Sequence, residues 1–109
     1  PERRVMVAFQ PHRYTRTRDC LDAFADVLSG VDRVVLAEVY PAGEQPIEGA
    51  DSAHLADAVA ARGAKRPTVV KVEDVGAAIL AEAHPGDVVL TMGAGSIARV
   101  APQLAGGPR

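Results

Sequence analysis

The chain has no tryptophan, one cysteine, almost no net charge and no long hydrophobic run. Cys20 has no partner for an internal disulfide, which fits a reducing compartment. It lies on the apolar side of the first helical pattern and reads as a small buried hydrophobe rather than a nucleophile. His12, His54 and His84 are far apart and lack metal-ligand spacing, so no structural zinc and no metal-binding residue is expected. No apolar stretch approaches the ~20 residues that cross a bilayer, and no signal-peptide core precedes the first strand pattern. A formal net charge of −2 leaves no basic footprint for nucleic acid. An initiator methionine is also absent, and the expectation is a piece of a longer protein. Catalytic signatures are missing as well. There is no Gly-x-x-x-x-Gly-Lys-Ser/Thr phosphate loop, no carboxylate pair at catalytic spacing and no Ser-His-Asp arrangement in motif context.

What is present suits one α/β domain. The 109 residues, 48% apolar and 24% charged, are enough for a hydrophobic core. Four β-branched runs, Arg4–Phe9, Arg33–Val39, Thr68–Val72 and Asp87–Met92, read as parallel strands covered on both faces. Helical patterns alternate with them. The first presents Leu21, Phe24, Ala25 and Leu28 and stops at Gly30 as its C-cap. The second is capped by Asp51 or Ser52, buries Leu55, Ala58 and Val59, and ends at Gly63. The third runs from Asp74 to Ala83 with Val75, Ala78 and Ile79 inward. A fourth places Ile97, Val100, Ala101 and Leu104 on one face, with Pro102 forcing a kink or an early end. The β-α alternation predicts a three-layer, doubly wound, mainly parallel sheet of Rossmann-like type. One long loop, from Tyr40 to Ala50, carries two prolines and two glycines and reads as an ordered excursion or a surface insertion.

The most informative stretch is Pro11-His-Arg-Tyr-Thr-Arg-Thr-Arg-Asp19, where an apolar run gives way to a helical pattern. Arg13, Arg16 and Arg18 are expected in or just ahead of the first helical turn, where the macrodipole disfavours cations. Local rules broken without evident gain mark functional positions. Arginines beside free backbone N–H groups form a socket for an anion. Solvated surface arginines are the bland alternative. Removing such a charge at a helix start is expected to leave stability unchanged or slightly raised.

A second motif, Thr91-Met-Gly-Ala-Gly-Ser96, ends the fourth strand. Gly93 and Gly95 let backbone donors approach a ligand, and Ser96 can cap a helix. Gly93-x-Gly95-x-x-Ala98 matches a loose dinucleotide fingerprint, but no strand and acidic residue follow at the required distance. With a strand order of 3-2-1-4, the first and fourth strands are neighbours at the switch point. The arginine loop and the glycine loop then face one another across one crevice.

These residues carry a family resemblance. Phe9-Gln10-Pro11-His12-Arg13-Tyr14-Thr15-Arg16-Thr17-Arg18-Asp19 resembles the opening of the C-terminal domain in the L-alanine-adding branch of the Mur ligase family. Val39-Tyr40-Pro41-Ala42-Gly43-Glu44, Pro46-Ile47 and Gly49-Ala50-Asp51-Ser52 resemble the next block, and Gly93-Ala94-Gly95-Ser96-Ile97 the last. Cys20 and Pro102 depart from the pattern, and neither falls in a motif.

The resemblance implies a cytoplasmic three-domain ligase of peptidoglycan synthesis, with this chain as its closing C-terminal domain. Its reaction joins L-alanine to UDP-N-acetylmuramic acid through an acyl phosphate. The N-terminal domain holds the UDP-sugar, the central domain carries the ATP phosphate loop and the Mg²⁺ ligands, and the isolated piece is inactive. Arg13 and Arg16 are implied as catalytic, and with His12 as contacts for the alanine carboxylate and the developing charge. Gly93, Ala94, Gly95 and Ser96 are implied as backbone donors. Tyr40 and Glu44 either line the crevice or order the loop, and Arg18 and Asp19 make local surface contacts. Two rival readings stand beside it: a stand-alone anion- or nucleotide-binding regulatory module, and a purely structural interaction domain.

Overall fold

The structure, a computed structural model, describes residues 4–93. Four parallel strands, β1 (Val5–Gln10), β2 (Arg33–Ala37), β3 (Thr68–Val70) and β4 (Val88–Gly93), form one sheet in the order β3-β2-β1-β4. This order makes β1 and β4 neighbours, the condition under which the sequence reading set the arginine and glycine loops side by side. Helices α1 (Tyr14–Asp19), α2 (Leu21–Leu28), α3 (Ser52–Ala61) and α4 (Val75–Glu82) connect them, and a 3-10 turn, Val72–Asp74, precedes α4. The expected fourth helical pattern, with Pro102, lies outside the described residues. None of the described helices is long and apolar enough to cross a membrane.

The central strands are buried on both faces, as their unbroken apolar runs require. Val7 and Phe9 of β1 pack with Ala25 and Leu28 of α2 and with Leu55 and Val59 of α3. Met6 and Ala8, pointing the opposite way, pack with Val75 and Ile79 of α4. Phe9 and Phe24 add an edge-to-face contact with centroids 5.1 Å apart. The outer strands are less covered: β3 is half-buried throughout, and Leu90 and Met92 of β4 are exposed.

Several boundaries differ from the sequence reading, for local reasons. β2 stops at Ala37, because Glu38 and Val39 already turn into the long loop, and β3 stops at Val70, ahead of the 3-10 turn. The C-cap of α2 is Ser29 rather than Gly30, whose φ is not in the left-handed region. At α3 the expectations hold. The Asp51 carboxylate accepts from the His54 N–H at 2.9 Å, and Gly63 ends the helix at φ 86°. Cys20 is not a buried core residue. It is half-buried at the junction of α1 and α2, where its N–H donates to the Arg16 carbonyl and its carbonyl accepts from Phe24.

Candidate functional site

The carboxyl end of β1 runs directly into the arginine motif, and the carboxyl end of β2 into the long loop. The two segments pair beyond the sheet. His12 and Tyr40 form an isolated parallel bridge. The Tyr40 N–H donates to the Pro11 carbonyl at 2.9 Å, and the Arg13 N–H donates to the Tyr40 carbonyl at 2.7 Å. The rings of His12 and Tyr40 stack with centroids 5.5 Å apart. Tyr40 therefore orders the motif through its backbone and covers His12 with its ring.

Arg13 has φ 69° and ψ 143°, a conformation that non-glycine residues rarely adopt and that costs about 1–3 kcal/mol. It is fixed from both sides. Tyr40 holds its N–H, while its carbonyl accepts from the Thr17 N–H at 3.1 Å and the Thr17 hydroxyl at 2.8 Å. Thr17 is fully buried. His12, Arg13 and Arg16 meet at one open depression of about 530 Å³, together with Thr15, Asp19 and Cys20. The three residues that the sequence singled out for an anion thus share one surface.

The premise of free N–H groups at this helix start does not hold. The Glu44 carboxylate fills that position: Oε1 accepts from the N–H groups of Tyr14 at 2.7 Å and Thr15 at 3.1 Å, and Oε2 accepts from the Thr15 hydroxyl at 2.6 Å. The Thr15 hydroxyl, then these N–H groups and the nearby Arg13 charge, hold the Glu44 carboxyl below the usual range against partial desolvation. Because α1 has only six residues, Arg16 and Arg18 fall in its last turn, where the dipole favours cations. Only Arg13, at the N-cap, keeps the unfavourable position.

The arginines divide sharply. Among the described residues Arg4, Arg18, Arg33, Arg62 and Arg66 each have a carboxylate partner, whereas Arg13 and Arg16 have none. Arg18 pairs locally with Asp19 at 3.0 Å, as expected. Arg13 and Arg16 are both exposed. Two unpaired guanidiniums on one open depression can grip a carboxylate or phosphate.

Gly93 pairs with Gln10 in the β1–β4 register, so the start of the glycine motif sits beside the end of β1. Ala94, Gly95 and Ser96 lie outside the described residues. The sequence reading gave Gln10 no separate part. Its side chain is buried, its amide donates to the Glu38 carbonyl at 3.2 Å, and its Oε1 has no partner among the described residues. It lines a cleft of about 260 Å³ with Glu38, Tyr40, Lys71 and Glu73. The signal was available as a glutamine at an inward position of an otherwise apolar strand.

Comparisons with known proteins agree with this geometry. The family profile described as Mur ligase, glutamate ligase domain, matches residues 1–95. UDP-N-acetylmuramate–L-alanine ligase of Xanthomonas campestris pv. campestris is 56% identical over 105 residues, covering 95% of this chain and 22% of that protein. The enzyme of the same name from Laribacter hongkongensis is 55% identical over 105 residues, with the same coverage. Among solved structures, UDP-N-acetylmuramate–alanine ligase MurC from Thermotoga maritima superimposes with a TM-score of 0.69 at 26% identity, covering 95% of this chain and 20% of that one. The chain thus spans about a fifth of the length of these relatives. A stand-alone regulatory module finds no support among them. The arginine motif, the long loop and the parallel sheet that joins them belong to a domain of the Mur ligase family.

Proposed function

We propose that this chain is the C-terminal, amino-acid-binding and closing domain of an ATP-dependent ligase that joins L-alanine to UDP-N-acetylmuramic acid. The observation that carries this reading is the pair of guanidiniums, Arg13 and Arg16, that have no carboxylate partner among the described residues and share one open depression beyond the carboxyl end of β1. The relatives named above are enzymes of that name, and they match this chain over nearly its whole length.

In the reaction, the lactyl carboxylate of the sugar takes a phosphoryl group from ATP, and the amine of L-alanine attacks the resulting acyl phosphate. The tetrahedral intermediate then collapses to the amide and releases phosphate. Arg13 and Arg16, with His12 beside them, bind the alanine carboxylate and the negative charge that develops on the acyl phosphate. Donors already aimed at developing charge are commonly worth ~10²–10³ in rate for one group. The backbone donors of the 93–96 motif complete the grip on the carboxylate. Closing the domain over the other two excludes water from a hydrolysable intermediate.

The sequence has no phosphate loop, and the described residues contain no group of three metal-ligating side chains. ATP and Mg²⁺ therefore fall to the central domain in this proposal, which also puts the reaction in the cytoplasm. The test is turnover by the full-length protein that contains this chain. ADP release requiring both L-alanine and UDP-N-acetylmuramic acid is expected, and deletion of residues 1–109 abolishes it. Release independent of L-alanine, or turnover that survives the deletion, overturns the reading.

A further inference from the structure

We infer that Glu44 is a positioning residue for the two arginines, its carboxylate acting as a built-in anion at the start of α1 that locks the long loop onto the motif. The inference rests on the function proposed above. Three bonds define the lock, two from the backbone N–H groups of Tyr14 and Thr15 and one from the Thr15 hydroxyl, all between 2.6 and 3.1 Å. Glu44 does not line the depression that holds Arg13 and Arg16. It acts through its neighbours.

Two routes connect it to the guanidiniums. Directly, it fixes the first two residues of α1, so the helix that carries Arg16 starts at a set point. Indirectly, it anchors the loop whose other end is Tyr40, and Tyr40 holds the Arg13 N–H at 2.7 Å. Arg13 sits in a left-handed conformation that only such flanking bonds maintain. A second consequence concerns charge. Because Glu44 satisfies the N–H groups at the helix start, an incoming carboxylate or phosphate is left to the guanidiniums.

The loop has anchors that do not depend on Glu44. The Ser52 hydroxyl donates to the Ala37 carbonyl at 2.6 Å, and Asp51 caps α3. Removing the Glu44 carboxylate therefore leaves the sheet and its core in place, and variants at this position should fold.

The experiment uses the full-length ligase with Glu44→Ala, Glu44→Gln, Arg13→Ala and the Glu44→Ala/Arg13→Ala double variant. It reads steady-state kinetics with L-alanine, ATP and UDP-N-acetylmuramic acid, and hydrogen exchange of peptides covering residues 11–20. Glu44→Ala is expected to lower kcat/KM for L-alanine by about 10–100-fold, the scale of a roughly 1 Å misplacement. The KM for the nucleotide sugar stays within twofold, and exchange rises in residues 11–20. Glu44→Gln keeps more activity, since its amide oxygen can still accept from the N–H groups. On the Arg13→Ala background, Glu44→Ala costs clearly less than in the parent, because the part of its effect that runs through Arg13 is already lost and only the part through Arg16 remains. If Glu44→Ala fails to fold, Thr15→Val, which removes one of the three bonds, should show the same direction of loss. An active Glu44→Ala beside a damaged Arg13→Ala overturns the role of Glu44 and leaves the proposed function standing. Fully additive losses do the same, since they show that Glu44 does not act through Arg13. Arg13→Ala and Glu44→Ala both at parental rate overturn the function and this inference together.

Discussion

Arg13 spends conformational energy to hold its place. A φ of 69° with ψ of 143° costs about 1–3 kcal/mol for a residue with a Cβ, and the bonds from Tyr40 and Thr17 sustain it. Arg13→Gly removes that strain but gives the unfolded chain more freedom, worth about 0.5–1 kcal/mol. Its stability in denaturant titrations should therefore lie within about 1 kcal/mol of the parent or above it, while turnover falls as far as in Arg13→Ala. A variant that loses stability and activity together would make Arg13 structural. Thr17→Val tests the other side of the clamp. The Thr17 hydroxyl is fully buried and donates to the Arg13 carbonyl, so its loss should lower stability by about 1 kcal/mol in the same titrations.

At the scale of elements, α1 and the long loop behave as one unit. Arg16 lies in the last turn of a six-residue helix, so Arg16→Ala is expected to cost no more than about 0.3–1 kcal/mol, the lower end applying to so short a helix. Thermal melts should detect that small loss, not the slight gain that a cation at a helix start predicts. The grouping of His12, Arg13 and Arg16 was legible because adjacent residues after a strand must share one surface. The parallel, doubly wound class was legible because unbroken apolar runs alternating with amphipathic patterns permit few topologies, and the strand order entered only as one of those. The break at Cys20 was not, since the apolar periodicity of Leu21, Phe24, Ala25 and Leu28 continues smoothly from the residues before it. The part played by Glu44 was equally hidden. Its partners are 29 and 30 residues away in sequence, and only the pairing of loop and motif beyond the sheet brings them together. Gln10 was visible as a polar residue in an apolar strand, but its unpaired oxygen depends on the neighbours that the fold supplies.

In the whole molecule, the two ends of the sheet divide the work. At the amino end Arg33, nearly buried, pairs with Glu82 and also donates to the Arg66 carbonyl and the Thr68 hydroxyl. Arg4 binds Asp87 at 3.0 Å and the Glu82 carbonyl at 3.1 Å. Glu82→Leu, which strands a buried guanidinium, should cost about 3 kcal/mol, and Arg33→Met/Glu82→Leu should recover most of it. Both variants should keep the parental rate below their melting points. The pH dependence follows from the same contacts. The Arg4 guanidinium, then the His84 N–H, hold the Asp87 carboxyl below its ordinary value, and the Glu44 carboxyl is lowered by its own contacts. Both contributions are complete above the ordinary carboxylate range of about pH 4 and are lost as pH falls through the lowered folded values. His54 has the opposite sign. The Asp51 carboxylate raises it, so its contribution is present below about pH 6.5 and fades as pH rises through the raised value. Melts across pH should therefore show an acid limb that Asp87→Asn reduces. The proposed function puts the chemistry at the carboxyl end, and its test is the L-alanine saturation curve of full-length Arg13→Ala beside the parent. A guanidinium that grips the amino-acid carboxylate makes kcat/KM for L-alanine fall by about 10²–10³, with an unchanged KM for UDP-N-acetylmuramic acid and an unchanged melting point. A curve that overlays the parent would contradict it.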